Sequence, residues 1–155
     1  MIKHIYLETY GCTANQNNSE LIKARLVESG LDIVENEKLA DISVINTCIV
    51  KGKIENKIVT RIKSLAHKPV IVTGCIVPVR LKELANRKNI FLLSMNNLKD
   101  IPKLVKKIQE NSYKIEDFNS SSREVKLGRK INANKLIGIT QISEGCLGNC
   151  SFCIT

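Results

Sequence analysis

The sequence predicts an α/β domain in which a parallel sheet is flanked by helices over residues 1–110. Segments with strand periodicity and segments with helical periodicity alternate four times along this stretch, the arrangement typical of α/β folds. The apolar run Pro69–Thr73 has the composition of a strand that is buried on both faces, as parallel strands are. In addition, three predicted strands each end beside a cysteine, at the edge of a parallel sheet where ligands gather.

The first predicted strand is Lys3–Glu8, because its apolar and polar residues alternate. A helix is predicted over Ser19–Ser29, where apolar residues recur at helical spacing. Asn17 and Glu20, three residues apart, resemble a capping pair at the start of that helix. Gly30 is the expected stop signal at its end.

The following elements are predicted by the same rules of periodicity and punctuation. In chain order they are the strand Asp41–Asn46, a helix with Ile54, Ile58, Ile62 and Leu65 on one stripe, the strand Pro69–Thr73, a short helix Arg80–Arg87, the strand Asn89–Leu93 and an amphipathic helix Asn97–Glu110 capped by Asn97.

The composition changes after residue 110. Residues 111–135 are polar and read as a linker that carries the basic residues Arg123, Lys126, Arg129, Lys130 and Lys135. These cations either face solvent or meet RNA phosphates. A new strand is predicted over Leu136–Ile142, and it leads directly into a cysteine-rich loop that begins at Cys146. Residues 136–155 therefore form the start of a second domain.

The bulk composition limits the class of protein. With 155 residues and 43% hydrophobic residues, the chain can bury a core. It has no apolar run long enough for a membrane span and no signal-peptide pattern, so we expect a cytoplasmic protein without a membrane partner. The formal charge of +9 fits either a solvated basic surface or an anionic partner such as RNA. Six cysteines in a reducing compartment favour metal or redox chemistry over disulfides.

Cys12, Cys48 and Cys75 each lie just beyond the carboxyl end of a predicted strand. In a parallel sheet these ends share one edge, so the three thiols are expected to converge. Gly11, Asn15, Asn46, Thr47, Thr73 and Gly74 are the small or polar neighbours that would let the backbone approach a cluster and bond to its sulfurs. The alternative is three unrelated buried cysteines, because free cysteine is often buried.

The other three cysteines form the pattern Cys146-x3-Cys150-x2-Cys153. Such a loop can hold three corners of a four-iron cluster and leave the fourth iron open. A zinc site would need a fourth ligand, and neither Cys nor His follows nearby in sequence. A redox pair of Cys150 and Cys153 would leave Cys146 without a role.

The spacing of this loop resembles the signature of the radical S-adenosylmethionine superfamily. The segments TYGCTANQNNSE at Thr9–Glu20, NTC at 46–48 and GC at 74–75 resemble the signature segments of the methylthiotransferase family's N-terminal domain. The segment EGCLGNCSFC at 144–153 resembles the family's radical S-adenosylmethionine loop, in its archaeal and eukaryotic form. The resemblance extends over the whole chain.

The resemblance implies an auxiliary four-iron cluster on Cys12, Cys48 and Cys75, and a second four-iron cluster on Cys146, Cys150 and Cys153 that binds S-adenosylmethionine. It implies an enzyme that acts on tRNA and adds a methylthio group to C2 of N6-threonylcarbamoyladenosine beside the anticodon. A flavodoxin- or ferredoxin-like protein is the implied electron donor. The alternatives are isopentenyladenosine in tRNA, a ribosomal protein, or a non-catalytic metal-binding module for nucleic acid.

The family's fuller enzymes continue into a radical S-adenosylmethionine barrel and an RNA-binding domain. The chain is therefore expected to be an N-terminal fragment that holds only the first strand and cluster loop of the barrel and is incomplete for catalysis. A genuine short protein without turnover is the other possibility.

Overall fold

The computed structural model describes residues 2–48, 52–77, 83–84, 87–118, 128, 130–132, 136–144, 147–148 and 150–151. A five-stranded sheet forms its centre, and every pair of neighbouring strands is parallel. The strands are β1 (His4–Thr9), β2 (Asp32–Val34), β3 (Ile42–Thr47), β4 (Val70–Gly74) and β5 (Ile90–Leu92), in the spatial order β2-β1-β3-β4-β5. The predicted α/β class with a parallel sheet is confirmed.

Three α-helices are described in full: α1 (Thr13–Glu28), α2 (Gly52–Leu65) and α3 (Ile101–Gln109). Three short 3-10 helices accompany them, at Glu37–Leu39, Met95–Asp100 and Ile115–Phe118. Within the described ranges, no helix is long and apolar enough to cross a bilayer.

The helices cover both faces of the sheet and form two cores. On one face, apolar residues of α1 and α3 pack on Ile42, Val44 and Ile71. On the other face, α2 packs on Ile45 and Val72 through its stripe of buried residues. β3 and β4 are buried along their whole length. This fits the apolar run at the start of β4, whereas β3 also buries the polar residues Ser43, Asn46 and Thr47.

The strand register aligns the carboxyl ends of the three middle strands. Thr9 of β1 pairs with Asn46 of β3, and Asn46 pairs with Thr73 of β4. Because paired residues of parallel strands point to the same face, these three polar side chains form a row on the face covered by α1. The next residues of each strand lead to a cysteine.

Two helix starts differ from the prediction. α1 begins at Thr13 with Cys12 as its N-cap residue, so Asn17 and Glu20 are buried inside the helix and do not cap it. The buried polar residues of the first two turns hid this start, because periodicity rules assign polar residues to solvent. The last helix begins at Ile101, because Asn97 has non-helical dihedral angles and the preceding residues form a 3-10 helix.

Two further differences concern strands. β2 was not predicted, because its three residues are too short to show alternation. The predicted strand at 136–142 is wrong, since these residues form no helix or strand and Leu136 and Ile142 are almost fully exposed. No described strand pairs with this segment, and an extended chain without a partner does not satisfy its backbone groups as a strand.

The packed core continues beyond residue 110, into the first part of the segment predicted to be a linker. Phe118 is fully buried, and Tyr113 packs against the same core. Of the predicted short helix at 80–87, Glu83 and Leu84 are helical, and most of the rest lies outside the described residues. Of residues 136–155, predicted as the start of a second domain, 136–144, 147–148 and 150–151 are described, and these form no helix or strand.

Candidate functional site

Cys12, Cys48 and Cys75 follow β1, β3 and β4, which are adjacent strands at the centre of the sheet. The register places Cys48 and Cys75 at equivalent positions, since each comes two residues after the paired residues Asn46 and Thr73. The backbone N–H of Cys75 donates to the Thr47 carbonyl oxygen over 3.0 Å. None of the three cysteines forms a disulfide, and each is at least partly exposed, which is what a ligand at this edge requires.

Two glycines allow the cysteine-bearing turns to pack together. Gly11 has a φ of +121°, and a Cβ there would lie 2.7 Å from Cβ of Cys48. Gly74 has a φ of +95°, and a Cβ there would lie 2.3 Å from the Thr47 carbonyl oxygen. At both positions a side chain is disfavoured for two reasons: the backbone is left-handed, and a Cβ would overlap a neighbouring atom. The glycines therefore set the separation of the three turns.

Asn15, in the first turn of α1, ties the turns at Cys12 and Cys48 together. Its Nδ2 donates to the carbonyl oxygens of Tyr10 and Thr47, over 2.7 Å each. Its Oδ1 lies 3.9 Å from the Cys12 sulfur. Asn15 is almost fully buried, so these hydrogen bonds are protected from water and hold the backbone firmly.

Asn46 and Thr47, at the end of β3, make similar connections. Asn46 connects β3 to α1, and Thr47 connects β3 to β4 and to the turn that follows it. Nδ2 of Asn46 donates to the Asn15 carbonyl oxygen at 2.8 Å and to Ser19 Oγ at 2.9 Å. The Thr47 hydroxyl donates to the Thr73 carbonyl oxygen and accepts from the Ile76 backbone N–H at 3.2 Å. The turns that bear the cysteines are thus connected by side chains from α1 and β3.

The donor set of this edge fits an iron–sulfur cluster. Thiolates are the ligands that such clusters take, and three of them leave one iron open. Two buried side-chain oxygens just before the cysteines, Asn46 Oδ1 and Thr73 Oγ1, have no hydrogen-bond partner within the described part of the chain. Among the described residues, no three His, Cys, Asp or Glu side chains are grouped around a single metal ion. A four-iron cluster binds each thiolate through a different iron, so it does not require that grouping.

Of the second predicted ligand set, one cysteine lies among the described residues. Cys150 is exposed and free, whereas Cys146 and Cys153 lie outside the described residues. The same holds for Arg123, Lys126, Arg129 and Lys135 of the basic stretch. Lys130 is described and is partly buried. Its ammonium group donates to Asn17 Oδ1 and to the Ile139 carbonyl oxygen.

A charged cluster lies beside Tyr10, which precedes Gly11 and Cys12. The Arg61 guanidinium pairs with Glu8 at 2.9 Å and also with Glu37. The hydrogen bond from Arg61 holds the pKa of Glu37 below its ordinary value. The Tyr10 hydroxyl donates to Glu8. Burial, followed by this hydrogen bond and the Glu8 charge, raises the pKa of Tyr10 to about 12.

Two open clefts flank the edge. One, of about 510 Å³, is lined by Tyr10 and by Asn56, Lys57, Thr60, Arg61 and Ser64 of α2. The other, of about 350 Å³, is lined by Thr9, by Gln16, Ser19, Glu20 and Lys23 of α1, and by Ile137 and Ile139. Each cleft is large enough for part of a nucleoside and adjoins the residues that lead to Cys12.

Sequence reasoning named Asn15, Asn46 and Thr47 as neighbours of the site but missed Ser19, Asn17 and the cluster around Arg61. The buried run from Asn17 to Glu20 carried a usable signal, since polar residues at consecutive helical positions cannot all face solvent. The contact between Arg61 and Glu8 spans 53 residues, and nothing in the local sequence indicates it.

Residues 4–95 match the family described as "Uncharacterized protein family UPF0004". The chain is 35% identical over 99% of its length to a "Probable threonylcarbamoyladenosine tRNA methylthiotransferase" of Methanocaldococcus jannaschii. It is 32% identical over its full length to a protein of the same name from Pyrococcus horikoshii. It is also 33% identical over 99% of its length to a "tRNA-2-methylthio-N(6)-dimethylallyladenosine synthase" of Thermosipho melanesiensis.

The chain spans little more than a third of the length of these relatives, 36% or 37% in each case. The match therefore concerns only part of longer proteins. The predicted resemblance to the methylthiotransferase family is confirmed.

Proposed function

The chain belongs to the UPF0004 family, and from that premise we propose that it is the N-terminal part of a tRNA methylthiotransferase. The observation that carries the proposal is the edge itself, where three partly exposed cysteines, none of them in a disulfide, follow three adjacent parallel strands. The relatives named as tRNA methylthiotransferases support it, since they match nearly all of the chain.

In this proposal Cys12, Cys48 and Cys75 hold the auxiliary four-iron cluster. Cys146, Cys150 and Cys153 hold a second four-iron cluster, to which S-adenosylmethionine binds. When bound, these cofactors supply one-electron chemistry at a carbon–hydrogen bond that acid–base catalysis cannot activate. A flavodoxin- or ferredoxin-like protein delivers the electrons, and the enzyme works in the cytoplasm, where tRNA is found.

The residues around the auxiliary site have positioning roles in the proposal. Asn15 keeps the turns of Cys12 and Cys48 at a fixed separation through its two backbone hydrogen bonds. Gly11 and Gly74 keep the cysteine turns free of side chains that would separate them. Tyr10 stays protonated at neutral pH, because its pKa is raised to about 12, and so it remains a neutral donor to Glu8 beside the site.

We rank N6-threonylcarbamoyladenosine beside the anticodon as the substrate, with C2 as the atom that receives the methylthio group. The amino-acid sequence of residues 144–153 supports this ranking, and so do the names of the archaeal relatives. Dimethylallyladenosine, the isopentenyl nucleoside, is the second candidate, because relatives named for it match with similar identity.

The cluster assignment is tested by measuring iron, sulfide and zinc after anaerobic reconstitution of the chain. We expect about eight irons, as two four-iron clusters require, and about four after Cys48→Ala. Ser29→Ala is the control, since Ser29 is exposed at the far end of α1 from Cys12, and it should leave the iron content unchanged. Zinc in place of iron would instead favour the non-catalytic nucleic-acid module.

The reaction is tested in cells that lack the gene encoding this chain. The tRNA nucleosides are identified by mass spectrometry before and after the wild-type gene or its Cys150→Ala variant is returned. We expect the methylthio form of N6-threonylcarbamoyladenosine to return with the wild-type gene only. Return of methylthio-isopentenyladenosine would shift the substrate to the second candidate, and an unchanged nucleoside profile would contradict the enzyme assignment.

A further inference from the structure

The chain that approaches the second cysteine loop lies against the first half of α1. Asn17 of α1, which is fully buried, contacts this chain at two points. Its Nδ2 donates to Gln141 Oε1 over 3.0 Å, and its Oδ1 accepts from the Lys130 ammonium group. One amide side chain therefore contacts the chain at both Lys130 and Gln141.

Two further hydrogen bonds reinforce this contact. The Lys130 ammonium group also donates to the Ile139 carbonyl oxygen over 2.7 Å. The backbone N–H of Ile131 donates to the Glu20 carbonyl oxygen over 3.2 Å. Ile137 and Ile139 also line the cleft of about 350 Å³, together with residues of α1. The segment thus docks through backbone, amide and ammonium groups together.

The chemistry of this contact makes Asn17 the central residue. A fully buried amide must find partners for both its donor and its acceptor, and here both partners belong to the docked segment. Hydrogen bonds to a charged group are worth about twice as much as neutral ones, and Lys130 supplies that charge. Loss of Asn17 would leave Lys130 with one fewer acceptor.

The contact connects the two cysteine sets along the chain. Asn17 follows Cys12 by five residues, and Gln141 precedes Cys146 by five residues. We propose that Asn17, Lys130 and Gln141 form a clamp that fixes the approach to the second cysteine loop on the helix that begins after Cys12. Asn17 is then a positioning residue for the methylthiotransferase reaction, and this role rests on the proposed function.

The docking itself is tested by hydrogen exchange on the chain without cofactors. In Asn17→Ala the amides of residues 130–132 and 136–141 should exchange at least about tenfold faster, because the loss of a hydrogen bond to a charge is worth a factor of ten or more. Asn17→Asp keeps the acceptor for Lys130 and should restore most of the protection. Adding Asn17→Ala to Lys130→Met should have a smaller effect than Asn17→Ala alone, because only the hydrogen bond to Gln141 is then left to lose.

Asn18→Ala is the matched control for this test. Asn18 is the next residue of α1 and is equally buried, but its side chain makes no hydrogen bond to the docked segment. It should leave exchange at 130–141 unchanged. If Asn17→Ala exchanges like the wild type, or like Asn18→Ala, the clamp does not exist.

The positioning role needs a second measurement, on the cofactor-loaded full-length protein of which this chain is proposed to be the N-terminal part. In Asn17→Ala, S-adenosylmethionine cleavage should continue, while methylthio product per molecule cleaved falls about tenfold. An unchanged product ratio would overturn the positioning role even where exchange increases. If the wild type forms no methylthio product at all, the proposed function fails, whereas the exchange experiment still decides whether the clamp exists.

Discussion

At Gly74 the chain leaves β4 with a backbone conformation and a contact that only glycine permits. Its φ is +95°, and the atoms that a Cβ would meet are the backbone oxygen and nitrogen of Thr47. Backbone atoms of a central strand cannot move aside as the end of a flexible side chain can. The position of Cys75 therefore depends on the absence of one methyl group at the preceding residue.

We expect Gly74→Ala to lower the free energy of unfolding by about 2 kcal/mol or more, because a left-handed alanine costs 1–2 kcal/mol before any overlap is counted. Gly30→Ala is the matched control. Gly30 also has a positive φ, +79°, but nothing lies within 4 Å of a Cβ placed there. Denaturant unfolding followed by circular dichroism measures both, and equal losses would contradict the role assigned to the Thr47 contact.

Tyr10 provides a test of the charged cluster. Its pKa is raised to about 12 by burial and by the Glu8 carboxylate, against 10.0 ordinarily. A phenol whose folded-state pKa is raised contributes stability below its ordinary pKa, and that contribution is lost as the pH rises through the folded value. We therefore expect stability to fall between about pH 10 and pH 12.

Tyr10→Phe should remove part of this fall, since Tyr6 also has a raised pKa and contributes the remainder. The difference in tyrosinate absorbance between wild type and Tyr10→Phe gives the titration of Tyr10 directly. A midpoint near 10 would mean that the contact with Glu8 does not shield the hydroxyl.

At the scale of elements, the short 3-10 helix Ile115–Phe118 completes the edge of the sheet beyond β5. The Tyr113 hydroxyl accepts from the Leu92 N–H at 3.0 Å and donates to the Leu92 carbonyl oxygen at 3.2 Å. The Phe118 ring stacks on Tyr113 with centroids 5.9 Å apart. The Phe118 carbonyl oxygen accepts from the Ser94 N–H. A polar-looking segment thereby satisfies the free backbone groups of an edge strand.

Phe118→Ala should cost about 3–5 kcal/mol of unfolding free energy, because it removes a fully buried ring and leaves a cavity. Leu136→Ala is the control, since the Leu136 side chain is 94% exposed and its loss should change stability by less than about 0.5 kcal/mol. Thermal or urea unfolding compares the two variants. A small effect at Phe118 would show that the core ends before this segment.

At the scale of the whole molecule, the sequence predicted the sheet, its parallel direction and the shared edge of three cysteines, because buried parallel strands have a distinctive apolar composition. It did not predict where α1 begins, since burial of Asn17 and Glu20 depends on partners far away in sequence. The strand predicted at 136–142 failed for a related reason, because apolar alternation says nothing about whether a neighbouring strand is present.

The order of the strands also decides when the cysteine edge can exist. Cys12 and Cys75 are 63 residues apart (12 to 75), and only the pairing of β1 with β3 and of β3 with β4 brings them to one edge. Such long-range pairing forms late, after loop closure has been achieved. During translation, the first cysteine leaves the ribosome long before its partners do. Cys12 and Cys48 are thus two separate thiols until β4 has emerged and folded, and assembly of a cluster on all three cysteines must follow synthesis of that strand.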